Sequence, residues 1–537
     1  MTQTTRTMTR ALLAIVGLIL ANPLWADKPL HKQIDQLIAA GTSHGFARVA
    51  ADATFLRRVY LDLAGDLPSA TEARSFLESK DRNKRTALVD SLLADPRYGR
   101  NMAERMHVML MERRGTNEHW SNFLKQSFLQ NKPWDKLVQA IIDPSTDEEA
   151  TNGSNFFLTK RLEKYGQNPT DFPGLAADIG RLFLGVDLQC AQCHDHLFID
   201  DYKQADFQGM YAFALNTFVR RDTEFPAIGE RVMKAPLEFQ SVFGGEPQKT
   251  GPRIFRGQEV EVATFEKGEE LEPKTDPDSK APGVPKFSPL RILAKQLPTD
   301  QNRFFARNCA NRLWYLMMGH GIVYPLDMDH SDNPPSHPKL LDLLAEQLIE
   351  QQFNVQWLLR EIALSETYQR SGLLPKDATP VQPAEYRTFK QKGLSAEQLC
   401  WSMLRATGEL DRVTADEDEV TGLPAVRAKF MAAYANPPRE PELKFTPAVR
   451  AALFLLNDET IVQWTMPREG NLAEKLTGMT DNSAVAEELY LAIFSRFPAS
   501  EESETVNQHL KQAEARAAAV SQLVWALLAS VEFATNH

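Results

Sequence analysis

Segments with an apolar residue at every third or fourth position, opened by a capping signal, recur along almost the whole chain and decide its fold class. In LPSATEARSFLES, Ser69 and Glu72 stand at capping-box spacing, where each side chain satisfies the other residue's backbone N–H. LSAEQLCWSMLRATG repeats the device with Ser395 and Gln398, then stops at Gly408, a residue type suited to a helix C-terminus. HPKLLDLLAEQLIEQQF puts Leu340, Leu341, Leu344, Leu348 and Ile349 on one helical stripe, and AAVSQLVWALLASVEFATNH closes the chain with another apolar helix. These patterns predict a mainly α protein. At 537 residues the chain is too long for one ordinary domain, so two helical bodies are expected. The exception is residues 219–290, where VEVATFE (Val260–Glu266) alternates like a strand and EPKTDPDSKAPGVPKFSP is rich in proline and charge. A small β-containing insertion and linker is predicted there. No repeat of fixed period is visible.

The first 26 residues read as a removable export signal: Arg6 and Arg10 supply the positive region, Ala11 to Ala21 the apolar one, and Leu24-Trp25-Ala26 a cleavage site. The apolar run is short for a bilayer span, which takes about 20 residues, so an uncleaved anchor is the lesser alternative. Removal of those residues divides the chain into 27–218, the insertion 219–290, and 291–537. A periplasmic or extracellular location follows, with no membrane span in the mature chain. The formal charge, −11 for the whole chain, gives no sign of the basic face that nucleic acid would require. Export places cysteines in an oxidising compartment. Only Cys190, Cys193, Cys309 and Cys400 are present, too few for a disulfide scaffold. Cys309 and Cys400 fall on apolar helical faces and read as buried thiols; whether they pair is open.

The residues that carry chemistry are concentrated in LQCAQCHDHLF, Leu188 to Phe198. Cys190-Ala191-Gln192-Cys193-His194 matches C-x-x-C-H, the attachment signature of c-type haem. Composition would give that pattern roughly 0.0006 times in such a chain. Residues three apart on a helical turn share a face. Both thiols can thus reach one porphyrin, and the next histidine can ligate iron as proximal ligand. Met210 and His196 are the nearest candidates for the opposite face, and Met210 also fits an apolar core stripe with Phe207, Tyr211, Ala214 and Phe218. Three rivals stay open: a redox-active cysteine pair, a zinc or iron site using His194 and His196 with the cysteines, and a structural disulfide.

A resemblance covers nearly all of the mature chain. FLRRVYLDLAGDLPSATEARSFLESKDRNKRTALVDSLLADPRYG resembles the opening of the planctomycete-type cytochrome-like domain, a family of unknown function, and GRLFLGVDLQCAQCHDHLF resembles its cysteine–histidine signature. The stretch from NRFFARNCANRLWYLMMGHG to NVQWLLREIALSETYQRSG resembles the helical domain that accompanies it, and LSAEQLCWSMLRATG, ALFLLND and ELYLAIFSRFPASEE continue the match. The family usually follows its second histidine with Pro-Phe and then Trp; here Leu197 and Tyr202 stand instead. The resemblance implies an exported protein with a haem-c-like motif, often encoded beside a secreted sulfatase-like partner.

PLDMDHSDNPPSHP gathers Asp327, Asp329, His330, Asp332 and His337. It lacks the glycine and glutamate of a calcium loop and reads as a proline-rich connector, with Ser336 capping the helix that follows. GTSHG (Gly41–Gly45) mimics a hydrolase elbow, but a helix rather than a strand precedes it, and Gly41 is better explained as a helix end. The leading expectation is an exported c-type-cytochrome-like protein passing electrons to a redox partner. A non-haem accessory protein for extracellular sulfated-polysaccharide processing is the second. A metal-dependent hydrolase built on His194, His196 and the Asp327–His337 loop is the third.

Overall fold

The computed structural model describes residues 28–144, 152–164, 167–223, 225–274, 278, 281–374, 381–419, 421–439 and 449–537. The expected export signal lies outside them. Among the described residues the chain is mainly α, with 24 α-helices and three two-stranded antiparallel sheets. The capping signals form as the sequence predicts. Ser69 with Glu72 and Ser395 with Gln398 make reciprocal capping boxes, and Gly408 ends its helix in the left-handed region at φ 78°. Gly41 ends the helix Leu30–Ala40.

A duplicated unit organises the first two-thirds of the molecule. In one copy the helix Asp52–Val59 runs into a π-helical turn, Tyr60–Ala64, which Gly65 terminates at φ 77°. In the other, Phe172–Ile179 runs into Gly180–Leu184, terminated by Gly185 at φ 73°. A π turn displaces carbonyls from their usual helical partners, and buried carbonyls need new donors. Each copy supplies them from a long helix, Pro96–Met111 or Arg303–Met318. Asn101 Nδ2 donates to the carbonyls of Asp62 (2.9 Å) and Leu63 (3.0 Å), and Asn308 Nδ2 to that of Leu182 (2.8 Å). One helical turn further on, Arg105 donates to the Asp62 carbonyl (3.0 Å) and Arg312 to the Arg181 carbonyl (2.7 Å). The flanking helices cross over between the copies. Lys84–Ala94 packs on Val355–Leu364, and its counterpart Pro289–Gln296 packs on Trp134–Ile142.

The apolar core follows this pairing. One continuous core takes side chains from Leu30 to Ala214 and from Leu290 to Phe389, so packing runs across residue 291 without a break. A second core spans Leu394 to Phe533 and is joined by Leu61 and Leu67. Cys309 belongs to the first and Cys400 to the second, and neither is bonded to a partner cysteine. Burial pushes both thiols up, Cys400 to about 12.

The insertion carries β1 (Thr217–Arg220), β2 (Ala227–Glu230), β3 (Leu237–Phe239) and β4 (Gln248–Thr250), paired as two hairpins. The strand expected at Val260–Glu266 does not form. Val262 is buried in a small satellite core, but among the described residues the one ladder-like bond from this stretch is Val260 N–H to the Pro252 carbonyl. Side-chain alternation was satisfied without a pairing strand. β5 (Lys392–Gly393) pairs with β6 (Thr535–Asn536), tying the chain's last residues back to the duplicated region. Ser336 does not cap the helix Pro338–Glu350: its hydroxyl and its N–H both bond the Ile322 carbonyl, and His337 takes the N-cap position.

Candidate functional site

Cys190 and Cys193 lie on a short 3₁₀ turn, Gln189–Gln192, with Cys193 immediately after it. A 3₁₀ helix has three residues per turn, so positions i and i+3 stand one above the other. Both thiols are accordingly exposed on one side, and Ala191 between them is buried. The turn is fastened from below by the helix Gln204–Ala214. Gln208 Nε2 donates to the Gln192 carbonyl at 2.8 Å, Gln204 Nε2 donates to the same oxygen at 3.4 Å, and Gln204 N–H donates to Asp195 Oδ1 at 2.9 Å.

The two histidines are in opposite states. His194 Nδ1 is 2.6 Å from the Asp195 carbonyl oxygen, which can only accept, so the proton sits on Nδ1 and the Nε2 lone pair is left for a ligand. Metal-ligating histidines are regularly oriented by such a bond from the other ring nitrogen to a carbonyl. His196 Nδ1 instead accepts from the backbone N–H groups of Phe198 (3.2 Å) and Ile199 (2.9 Å). Its neutral ring therefore carries the proton on Nε2 and serves the loop as a cap.

Met210 is placed away from the turn. Gln204 and Gln208 define the face of their helix that meets Gln192, and Met210, two residues on, points about 200° around the axis. It is 1% exposed and part of the core. The core reading of Met210 is the one the structure supports, because its helix face is spent on packing.

The surface around the thiols is apolar. Phe198 is 84% exposed, Phe243 72%, Val242 67% and Leu197 64%. Val242 and Phe243 come from the tip of the β3–β4 hairpin, which bends sharply at Gly244 and Gly245 (φ 93° and 111°). Val242 N–H donates to the Cys193 carbonyl at 3.0 Å, and the Phe243 ring lies 4.7 Å from that of His194. Monomeric proteins rarely leave large contiguous apolar patches bare unless something binds there. Sequence reasoning missed these two residues, which stand about 50 positions downstream in a stretch with no motif; the Gly-Gly pair was the one local signal, for a tight turn.

The Asp327–His337 loop is a neighbour of this site. Asp329 N–H bonds the Gly185 carbonyl at 3.0 Å, Met328 bridges to Val186, and Tyr202 touches His196 and His330 with ring distances of 6.1 and 5.5 Å. Two of its acids are already engaged, Asp327 with Arg181 (3.6 Å) and Asp329 with Arg307 (3.4 Å). The His337 ring lies tilted against that of Tyr386, 5.5 Å away. Among the described residues no three His, Cys, Asp or Glu side chains are grouped to hold a metal ion. No described helix is long and apolar enough to cross a membrane.

The donor set fits covalent haem in three respects: two free thiols on one side, an adjoining imidazole with Nε2 available, and an apolar rim. Residues 33–218 match the family model PSCyt2, a protein of unknown function (DUF1549), and residues 291–425 match PSD1, a protein of unknown function (DUF1553). No curated protein and no solved structure matches the chain. The chain therefore belongs to the proteins in which a PSCyt2 domain precedes a PSD1 domain, both of unknown function.

Proposed function

We propose that this protein is an exported c-type haem protein, with Cys190 and Cys193 as thioether anchors and His194 as the proximal ligand. The observation that carries the reading is the Nδ1 bond from His194 to the Asp195 carbonyl beside two exposed thiols. When bound there, the group would supply one-electron redox chemistry. Cys190 and Cys193 would hold it by two thioether bonds, the Asp195 carbonyl fixes the His194 tautomer, and Leu197, Phe198, Val242 and Phe243 would offer it an apolar rim. Met210, packed in the core, and His196, whose Nδ1 caps its own loop, are given no ligand role in this reading. An exposed redox centre suits exchange with a partner protein that docks on the same apolar rim.

The deciding experiment is expression in a host that matures c-type cytochromes, followed by a pyridine haemochrome spectrum and intact mass. A covalent haem on a chain beginning at Asp27 is expected. A colourless protein two mass units below the fully reduced chain would favour the rival reading, a Cys190–Cys193 disulfide.

A further inference from the structure

A cavity of about 600 Å³ opens between the two copies of the duplicated unit. Its walls include Arg105 from one long helix, Arg312 from the other, and Lys392 and Asn536 from the β5–β6 pair. None of the residues of the Cys190 turn lines it. The volume lies within the range of small-molecule sites, about 300–1,000 Å³.

The charges around it are unevenly satisfied. Glu112 is paired with Arg114 (2.9 Å) and Arg181 (2.6 Å), and Asp62 with Lys392 (2.6 Å). Lys392 uses all three of its donors, on Asp62 Oδ1, the Leu316 carbonyl (3.1 Å) and the Met317 carbonyl (2.7 Å). It caps the end of the helix Arg303–Met318 and has no capacity left for a ligand. The two arginines differ. Arg312 bonds only neutral oxygens, Asn308 Oδ1 (3.0 Å) and the Arg181 carbonyl (2.7 Å), and makes no ion pair among the described residues. Arg105 bonds the carbonyls of Asp62 and Leu316 and comes only within 4.0 Å of Asp62 Oδ1. Each guanidinium has five N–H donors, and these bonds engage two. Burial pulls both below the usual arginine range, Arg312 to about 10, and outweighs the opposing pull of Asp62 on Arg105 and of Asp327 and Glu112 on Arg312. The other carboxylates lining the cavity have cations of their own, Glu104 with Arg427 (2.8 Å), Glu397 with Arg113 (2.8 Å) and Asp327 with Arg181 (3.6 Å), so Arg105 and Arg312 are the guanidiniums left to face an anion.

We propose that this cavity binds a small organic oxyanion, a carboxylate or a sulfate or phosphate ester, with Arg105 and Arg312 as its anion-holding cations. Its pseudo-symmetric construction places one cation from each copy on the same guest. The proposal is independent of haem at Cys190.

Calorimetric titration of the full mature chain with glucuronate, glucose 6-sulfate, glucose 6-phosphate and glucose tests it. At least one anion is expected to bind, glucose is not, and the anion that binds identifies the carboxylate, sulfate or phosphate source. Arg312→Gln is expected to weaken that anion about 10- to 100-fold, the scale of a lost charge-assisted hydrogen bond, and Arg312→Lys to weaken it less. Binding of the wild type is expected to weaken as NaCl rises, a readout that serves if Arg312→Gln does not fold. Glucose binding as tightly as the anions, no binding of any of the four, or affinity independent of salt would overturn it.

Discussion

Asn101 Oδ1 stands 2.6 Å from the point where Gly65 would carry a Cβ, and Asn308 Oδ1 stands 3.0 Å from the same point on Gly185. The two glycines also share a positive φ that costs an L side chain energy. Gly65→Ala and Gly185→Ala are therefore both expected to destabilise the fold, Gly65→Ala the more, because its asparagine must move further. Urea unfolding of the two variants checks the order.

The asparagines themselves give a matched pair. Asn101→Ala strips donors from two buried carbonyls and Asn308→Ala from one. Losses of about 1–3 kcal/mol are expected for each, larger at Asn101. Equal and negligible losses would mean that the π turns need no side-chain support.

Acid should loosen the first core at a pH set by His107. Burial holds its imidazole down at about 4, against an ordinary value of 6.5, and Trp120 Nε1–H donates to its Nδ1 at 3.0 Å. As pH falls below 6.5 the unfolded chain takes up a proton that the folded ring refuses until about 4, so stability declines across that window. His107→Gln, which can keep an acceptor for Trp120, is expected to flatten the decline by roughly 1–2 kcal/mol between pH 6.5 and 4. His320, His337 and His537, which burial shifts the same way, add to the slope, and so at its acid end do carboxylates held down by arginines, such as Asp178 at about 2. Denaturant curves at a series of pH values measure it.

Cysteine replacements should separate function from fold. Cys190→Ser and Cys193→Ser alter exposed thiols and are expected to change stability by less than about 0.5 kcal/mol. Cys400→Ser places a hydroxyl in a fully buried apolar site and is expected to cost about 1–3 kcal/mol. Haem content should fall in the first two and stay whole in the third.

Much of this molecule was legible in its sequence, and what was not has a physical reason. Helix starts at Ser69 and Ser395 and the stripe from Leu340 to Leu348 are local signals, and they formed as read. The cysteine–histidine turn was equally local. The duplication escaped because its trace, Arg100-Asn101 to Arg105 against Arg307-Asn308 to Arg312, is a handful of residues, and about 100 residues of turn, hairpins and linker interrupt the second copy. What equates Asn101 with Asn308 is the bond each makes to a π turn far away in sequence. Val242 and Phe243 escaped for the same kind of reason, since only hairpin folding brings them onto His194. Val260–Glu266 misled because burial alone produces the periodicity of a strand.

The central claim concerns Cys190, Cys193 and His194, and intact mass spectrometry of the secreted chain, read beside its pyridine haemochrome spectrum, tests it most directly. The account expects one haem per chain, retained after denaturation and lost from the Cys190→Ser, Cys193→Ser double variant. A secreted wild-type chain from a cytochrome-c-maturing host with the mass of bare polypeptide and no Soret absorption would contradict it.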